Sequence, residues 1–235
     1  MPTTTVTAGK QAEGDTLTTT SWTAAKDATA AASYQQFSTA TDDTTSVQGL
    51  YNSGRGGGTY RLVRTFLFFD LSSISGTITA MDLDLYVVNG GSAVVQIAKS
   101  TAFGGDGTSD FAEGDFDNWS QDSPTAYMAS SATLSLNANS LTLNSTAISD
   151  ANNDGYLNVV IVDNVHDFQD QQPLLTIDRS SGLRFKNSSN PIQLDITYTA
   201  AGYPHDVLGV DSSNIIKVTG VPTANITKVI GVNIA

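Results

Sequence analysis

The central part of the chain alternates apolar and polar side chains with a period of two residues. In TITAMDLDLYVV (77–88), apolar residues recur at every second position from Met81 to Val87, with aspartates and a tyrosine between them. This period is typical of a β-strand that packs one face against a core. The preceding run, YRLVRTFLFFDL (60–71), combines β-branched and aromatic residues and ends at the polar turn SSISG, so it predicts a second strand.

Further strands are predicted at short intervals, separated by Gly, Asn-Asp and Pro. Strands spaced this way over roughly 200 residues predict an all-β fold, an antiparallel β-sandwich of the jelly-roll type. One segment, SWTAAKDATAAAS (21–33), is compatible with either a helix or a loop. The additional strand segments are SAVVQIAKS (92–100), ATLSLNANSLTLNS (132–145), GYLNVVIVD (155–163), PLLTIDRS (173–180) and PIQLDITYT (191–199).

Two polar segments divide this pattern. GGDGTSDFAEGDFDNWSQDS (104–123) is too polar for a strand, and we predict a long surface loop there, where functional residues are often found. AAGYPHD (200–206) connects the last strand to a repetitive C-terminal segment. We therefore expect a jelly-roll sandwich over residues 1–200, a linker over 201–206 and a docking tail over 207–235.

The charge balance is strongly acidic. With 11 basic and 23 acidic residues among 235, the formal net charge is −12, which repels nucleic acid and anionic lipid. We expect no nucleic-acid or membrane partner, and no apolar run reaches the ~18 residues of a membrane span. The segment MPTTTVTAGK lacks a basic stretch followed by an apolar one, so we expect no secretory signal. Cysteine is absent, so disulfides cannot stabilise the fold.

Histidine is the first residue type to consider for catalysis, and the chain has two. His205 lies in the linker. His166 lies beside Asp163, Asp167 and Asp170, and a histidine near acids can act as a general base. It follows a predicted strand without a serine elbow or metal signature, so a solvated turn histidine is the favoured interpretation. The sequence therefore predicts a protein that is not an enzyme.

A calcium loop is the strongest metal candidate. DANNDG places Asp150, Asn152 and Asp154 at the first, third and fifth positions of such a loop, followed by Gly155. The twelfth position, which should be a bidentate acid, is Ile161 inside the next strand. A tight turn entering that strand is the favoured interpretation. We predict no cofactor and no metal, and a weak calcium site at these three residues stays open.

Two other patterns could bind a ligand. NSGRGGGTYR (52–61) is rich in glycine but lacks the Lys-Ser/Thr pair of a phosphate-binding loop, so a flexible loop is favoured. Trp22 and Trp119 could stack on sugar rings, as aromatic residues do in carbohydrate-binding sandwiches, although single loop aromatics usually pack within their own protein. Carbohydrate binding therefore stays open as an alternative function.

The C-terminal segment repeats with a period of eleven residues. Glycines, Pro222 and many Val, Ile and Thr residues argue against a helix. An odd period in an uninterrupted strand would put equivalent residues on opposite faces, so each copy must be a short strand followed by a turn. The repeat residues are Val207, Gly209, Val210, Asn214, Ile215, Lys217, Val218, Gly220, Val221, Asn225, Ile226, Lys228, Val229, Gly231 and Val232.

These repeats are too few to bury their own apolar side chains, because about three or more stacked repeats are normally needed. We predict that the tail docks on sister chains around a symmetry axis or on a foreign surface. A homo-oligomer is expected, with a trimer among the candidate symmetries. Packing of the tail on its own sandwich is the alternative.

The strand pair at 60–88 resembles a known family. RTFLFFDLSSISGTITAMDLDLYVV is similar to the R-x-x-x-x-F-D-L-S … I-x-x-A-x-L-x-L core of DNRLRE-type jelly-roll domains, which occur in cell-surface and phage proteins. SDFAEGDFDNW and DGYLNVVIVD resemble companion segments of phage structural proteins, and the tail resembles the short N-I-x-K-V-x-G-V endings of marine bacteriophage virion proteins. Met81 departs from the family, which often has a smaller residue there. The matching residues are Arg64, Phe69, Asp70, Leu71, Ile78, Leu83 and Leu85.

The resemblance implies a non-enzymatic component of a virion: a capsid decoration protein, a head fibre or spike, or a tail accessory. Its partners would be capsid or tail proteins of the particle, and it could take part in host attachment. The alternative from another class is a carbohydrate-binding module that recognises a glycan of the host surface. The two functions are compatible, because a virion spike can also bind sugar.

Overall fold

Most of the chain before residue 201 is a series of β-strands. The computed structural model describes residues 1–16, 20–37, 43–52, 58–90, 93–173, 180–185, 190–200, 217–218, 221–222, 228–229 and 232–233. Before residue 201 the strands are β1 (Thr3–Thr7), β2 (Lys10–Asp15), β3 (Ser33–Gln36), β4 (Asp43–Asn52), β5 (Thr59–Asp70), β6 (Gly76–Gly90), β7 (Val94–Lys99), β8 (Ala132–Thr133), β9 (Asn137–Thr142), β10 (Tyr156–Asp163), β11 (Ser180–Phe185) and β12 (Gln193–Ala200).

These strands form two packed antiparallel sheets, an arrangement consistent with a β-sandwich. One sheet has the order β1-β12-β6-β9. The other has the order β3-β2-β5-β10-β7-β8, with β4 on the same edge of β5 as β10. Strand β11 pairs with both β4 and β6 and so joins the two sheets. The prediction of an antiparallel all-β fold is confirmed at this level, and the jelly-roll connectivity stays a prediction.

The alternation in β6 places one face of this strand in the space between the sheets. Met81, Leu83, Leu85 and Val87 are at most 2% exposed, as the period of two predicts. They belong to one cluster with residues of β5, β7, β10 and β12, which we call the inner core. Each such side chain contributes roughly 1.5–3 kcal/mol when it leaves water, so this face of β6 stabilises the contact between the sheets.

Strand β5 is buried on both faces. Leu67 and Phe69 belong to the inner core, whereas Phe66 and Phe68 point to the opposite side of their sheet. There they join a second cluster, which we call the outer layer: Ala12, Ala31, Leu62, Phe66, Phe68, Ala98, Ala102, Phe103, Phe111, Phe116, Trp119, Val160 and Val162. Because both faces are covered, β5 contains a continuous apolar run from Phe66 to Phe69 instead of alternating there.

The Asp-rich segment 104–123 contains no strand and is largely exposed, as the prediction of a surface loop requires, but its aromatic residues also cover this outer face. Phe111, Phe116 and Trp119 are at most 4% exposed and pack on the sheet. A 3₁₀ turn, Glu113–Asp117, carries Phe116 inward. Its aspartates serve the local backbone: Asp115 Oδ2 accepts from the N–H groups of Phe103 (3.2 Å) and Ala112 (3.1 Å). The segment therefore covers the sheet with a few aromatic rings, while its aspartates accept hydrogen bonds or face solvent.

Helices are short, and one of them was missed by the sequence pattern. Helix α1 (Trp22–Lys26) lies within the segment that was compatible with a helix. Helix α2 (Ser145–Asp154) contains most of the DANNDG motif, so the prediction of a tight turn there is wrong. Asn144 caps α2, because its side chain accepts from the N–H groups of Thr146 and Ala147. Gly155 ends the helix at φ 71°, a left-handed conformation that glycine adopts without steric cost.

The same region shortens one predicted strand. The segment 132–145 forms two separate strands, β8 and β9, and the last residues lead into α2. Much of the predicted strand 173–180 and half of the glycine-rich segment 52–61 (residues 53–57) lie outside the described residues. Among the residues that are described, neither helix has the length and apolar character needed to cross a bilayer.

Candidate functional site

The tail contains two short hairpins that reproduce the eleven-residue period. Strand β13 (Lys217–Val218) pairs with β14 (Val221–Pro222), and β15 (Lys228–Val229) pairs with β16 (Val232–Asn233). Val218 pairs with Val221, and Val229 pairs with Val232 eleven residues later. Each repeat is therefore the same antiparallel hairpin in the same register.

This geometry refines the predicted strand-and-turn unit. A hairpin contains two strands, so the period of eleven is the distance from one hairpin to the next. In the described part of the tail, each hairpin is a two-stranded sheet of its own and does not extend the sheets of the sandwich. The other predicted interaction residues, Val207, Gly209, Val210, Asn214, Ile215, Gly220, Asn225, Ile226 and Gly231, lie outside the described residues.

A buried ion pair lies in the outer layer of the sandwich. Arg64 on β5 is 0% exposed, and its guanidinium donates to both carboxylate oxygens of Asp167 at 2.8 Å. It also donates to the carbonyl of Phe116 (2.9 Å) and to the side chain of Gln121 (2.9 Å), and it lies 4.1 Å from the Phe116 ring centre. This bidentate geometry satisfies both charges. Arg64 therefore ties the covering segment to the sheet.

His166 is buried, so the prediction of a solvated turn histidine is wrong. It is 5% exposed and lies in a π-helical turn, Asn164–Phe168, that follows β10. Its backbone N–H donates to Asp163 Oδ1 (2.7 Å), and its ring Nδ1 is 2.7 Å from the carbonyl oxygen of Gln171. A Cβ added at Gly49 would lie 2.8 Å from the His166 Cβ, so β4 approaches this turn closely.

The turn around His166 gains its burial from tertiary packing. Burial raises the pKa of Asp163 above its ordinary value, and Asp163 caps the turn through its Oδ1. Within the described residues, His166 makes structural contacts to backbone and to Gly49, and no nucleophilic side chain is hydrogen-bonded to its ring. The arrangement stabilises a local bend beneath β4.

The three candidate calcium ligands point to different partners. Asp150 Oδ2 accepts from Lys99 Nζ (2.8 Å) and from the Tyr127 hydroxyl (2.6 Å). Asn152 Oδ1 accepts from the backbone N–H of Ile78 (2.8 Å). Asp154 is exposed at the end of α2. Asp150 and Asp154 are about one helical turn apart on one face of α2, whereas Asn152 lies on another face, so the three do not form the calcium loop that the motif suggested. In the part of the chain that the structure describes, no three acidic, histidine or cysteine side chains converge on a metal position.

The two tryptophans both contact other side chains of the sandwich. Trp119 is 2% exposed, and its ring lies under Arg64 at 5.0 Å. Trp22 packs edge-on against Tyr60 at 5.8 Å and donates from Nε1 to Asp170 (3.1 Å). The favoured interpretation, that such aromatics pack within their own protein, is confirmed for Trp119, because the Asp-rich segment folds back onto the sheet and carries this ring inside.

Sequence reasoning missed two groups. The pairing of Arg64 with Asp167 joins residues that are 103 positions apart, and the only signal was a charged residue inside an apolar run. The group of Lys99, Tyr127 and Asp150 joins β7, a loop and α2, and no spacing in the sequence indicates it. In comparisons with protein-family models and with curated proteins, the chain matches none.

Proposed function

We propose that this chain is a non-enzymatic structural protein of a bacteriophage virion, attached to the particle or to sister subunits through its C-terminal hairpins. The observation that carries the proposal is the exact repetition of one hairpin register eleven residues apart. A partner that offers two equivalent sites, or several sister tails arranged by symmetry, would bind such a repeat.

The size of the hairpins supports a docking role. Each strand has two residues, and an isolated two-stranded hairpin is marginally stable at best in water. Hairpins this short need additional strands or a neighbouring surface. Strand addition from a partner would supply main-chain hydrogen bonds, and the repeated valines would supply apolar contact.

The virion setting is supported by the DNRLRE-type resemblance. Six of its seven matching residues are buried: Arg64, Phe69, Leu71, Ile78, Leu83 and Leu85. The seventh, Asp70, accepts from the backbone N–H of Ser72 (2.9 Å) at the turn after β5. The shared motif thus consists of core and turn positions, as expected of a scaffold. It supports a common fold more directly than a common partner.

Deletion of residues 207–235 tests the proposal. We expect the sandwich to stay folded, because the inner core and outer layer draw on residues before 201, while oligomerisation and incorporation into particles are lost. Light scattering and a particle-association assay on the truncated and full-length chains would measure this. A matched control is a chain with the tail residues shuffled at constant length and composition, which should behave like the deletion.

A second pair of variants targets the hairpins alone. Val218→Asp with Val229→Asp changes the equivalent paired position in both repeats, whereas Lys217→Arg with Lys228→Arg keeps the charge. We expect the first pair to abolish association and the second to preserve it. A full-length chain that is monomeric and absent from particles would contradict the proposal, as would truncation that unfolds the sandwich.

A further inference from the structure

A small polar cleft lies where the end of α2, the loop after β7 and the start of β10 meet. Its cavity volume is about 230 Å³. Drug-sized ligands usually occupy about 300–1,000 Å³, so this cleft has room for a single small ring. The side chains that carry the argument are Lys99, Tyr127, Asp150, Asp154 and Asn158.

One side of the cleft is held in place by an ion pair and a tyrosine. Asp150 Oδ2 accepts from Lys99 Nζ (2.8 Å) and from the hydroxyl of Tyr127 (2.6 Å), which is 1% exposed. A carboxylate has about four lone-pair sites, so Asp150 keeps acceptor capacity for a ligand.

The protonation states on this side are set by the same contacts. Burial acts to raise the pKa of Asp150, but hydrogen bonds from Lys99 and Tyr127 hold it below its ordinary value. Burial, and then the bond to Asp150, raise the pKa of Tyr127. At neutral pH the group is therefore a charged acceptor oriented by two donors.

The inner wall contains an unsatisfied acceptor. Asn158 on β10 is 4% exposed, and its Nδ2 donates to the carbonyl oxygens of Ala102 (2.5 Å) and Gly105 (3.2 Å). Its Oδ1 has no hydrogen-bond partner within the described residues. Buried acceptors nearly always find a donor, so a bound hydroxyl or water would complete this site. Gly105 also lines the cleft, and a Cβ added at Gly105 would meet nothing within 4 Å.

The charged side chains that line the cleft indicate which class of ligand it can bind. Two carboxylates, Asp150 and Asp154, face one ammonium group, Lys99, so a phosphate or carboxylate ligand would be repelled. A metal ion is disfavoured because the Lys99 ammonium group already pairs with the Asp150 carboxylate and would repel a second cation. An apolar ligand would leave these polar groups unpaired. A ring with several neutral hydroxyls can donate to the carboxylates and accept from the ammonium group.

We propose that this cleft binds one neutral sugar ring of a glycan and discriminates against acidic sugars. Asp154, which is exposed at the mouth, and Asp150 accept hydroxyl protons, and Lys99 donates to ring or hydroxyl oxygens. The site lies on the sandwich and does not depend on docking of the tail.

Chemical-shift titration of the isotope-labelled full-length chain tests this site. The probes are glucose, galactose and mannose, with glucuronic acid as the acidic counterpart. We expect saturable shifts at amides of residues 99–105 and 154–158 with at least one neutral sugar. Glucuronic acid should bind at least ~10-fold more weakly, because its carboxylate meets two like charges.

The variant Asp154→Asn should lower the affinity for the neutral sugar by about threefold or more. It should also reduce the ratio of the affinity for the neutral sugar to that for glucuronic acid. The matched control is Asp122→Asn, another exposed aspartate that does not line the cleft, which should change neither value. If Asp154→Asn disturbs the fold, Thr101→Trp at the exposed mouth should block binding by bulk.

The proposal is overturned by absent or non-saturable shifts with all three neutral sugars, by equal binding of glucuronic acid, or by identical behaviour of Asp154→Asn and its control. Tail variants tested for particle association should leave this titration unchanged, so the two proposals fail independently.

Discussion

The inner core and the outer layer are built on the two faces of the same sheet, yet they differ in chemistry. The inner core is mainly aliphatic, with Leu, Ile, Val and Met from facing strands. The outer layer is much richer in aromatic residues, and Phe66 lies 4.9 Å from Phe111 between ring centres. It also encloses the ion pair of Arg64 with Asp167, which is 0% and 1% exposed.

This difference follows from what covers each face. A second regular sheet meets the inner face, so branched aliphatic side chains from both sheets can interdigitate. An irregular, Asp-rich segment meets the outer face and has few apolar residues of its own. Large rings bury much area per residue, and Arg64 donates to its backbone carbonyl at Phe116. A covering segment without a regular ladder is thus held by a few large contacts.

The largest effect is expected for Arg64→Ala. It would leave the Asp167 carboxylate buried without its partner, which costs about 3–5 kcal/mol, and it would remove the stacking on Phe116. Chemical unfolding of the variant measures this. Lys10→Ala is the control, because its partner Asp110 is 81% exposed, and it should change the unfolding free energy by less than about 1 kcal/mol.

The double variant Arg64→Met with Asp167→Leu sharpens the same point. Replacing both charges with apolar side chains removes the uncompensated carboxylate, so we expect it to recover most of the loss. If Arg64→Ala alone has an effect within the range of the control, the ion pair does not hold the outer layer.

A matched phenylalanine pair separates the two regions. Phe66 and Phe69 are both 0% exposed and lie on the same strand, one in the outer layer and one in the inner core. Phe69→Ala should cost about 3–5 kcal/mol in global stability. Phe66→Ala should cost about 3 kcal/mol and release residues 104–123 first, as hydrogen exchange would show. Equal loss of protection in both sheets for the two variants would contradict this division.

The smallest effect concerns the half-exposed ion pair of Lys99 with Asp150, at the edge of the inner core. Asp150 is 24% exposed, and its pKa is held below the ordinary value by Lys99 and Tyr127, against the effect of burial. A lowered carboxyl pKa stabilises the folded state above the unfolded-state pKa, and this contribution is lost as pH falls through the folded-state pKa. Asp150→Asn should therefore cost about 0.5–1 kcal/mol at pH 7.

The pH dependence is the check on that prediction. The difference between wild type and Asp150→Asn should shrink as pH falls below the ordinary aspartate pKa of about 3.8 and close once the folded-state carboxyl is protonated. Thermal melts of both chains across this range would measure it. A difference that stays constant with pH would indicate a purely steric role for Asp150.

Much of the strand content could be predicted from the sequence, whereas the candidate sites could not. The alternation around Met81 and the apolar run before Asp70 lie in strands as predicted. Helix α2 was missed because its Ser, Asn and Asp residues have turn propensity, and its cap at Asn144 and its buried Ala147 decide the outcome. His166 looked solvated because its neighbours are polar, whereas tertiary packing, including the close approach of Gly49 on β4, buries it.

The sequence by itself determined where most strands lie and that the tail repeats every eleven residues, because both depend on local periodicity. Only the tertiary structure decided that the Asp-rich segment covers the outer face, that Arg64 meets Asp167, and that Lys99, Tyr127 and Asp150 converge. Those contacts join residues far apart in the chain. Their energies depend on burial and on the direction of each side chain, which strand pairing and packing set and which no local pattern records.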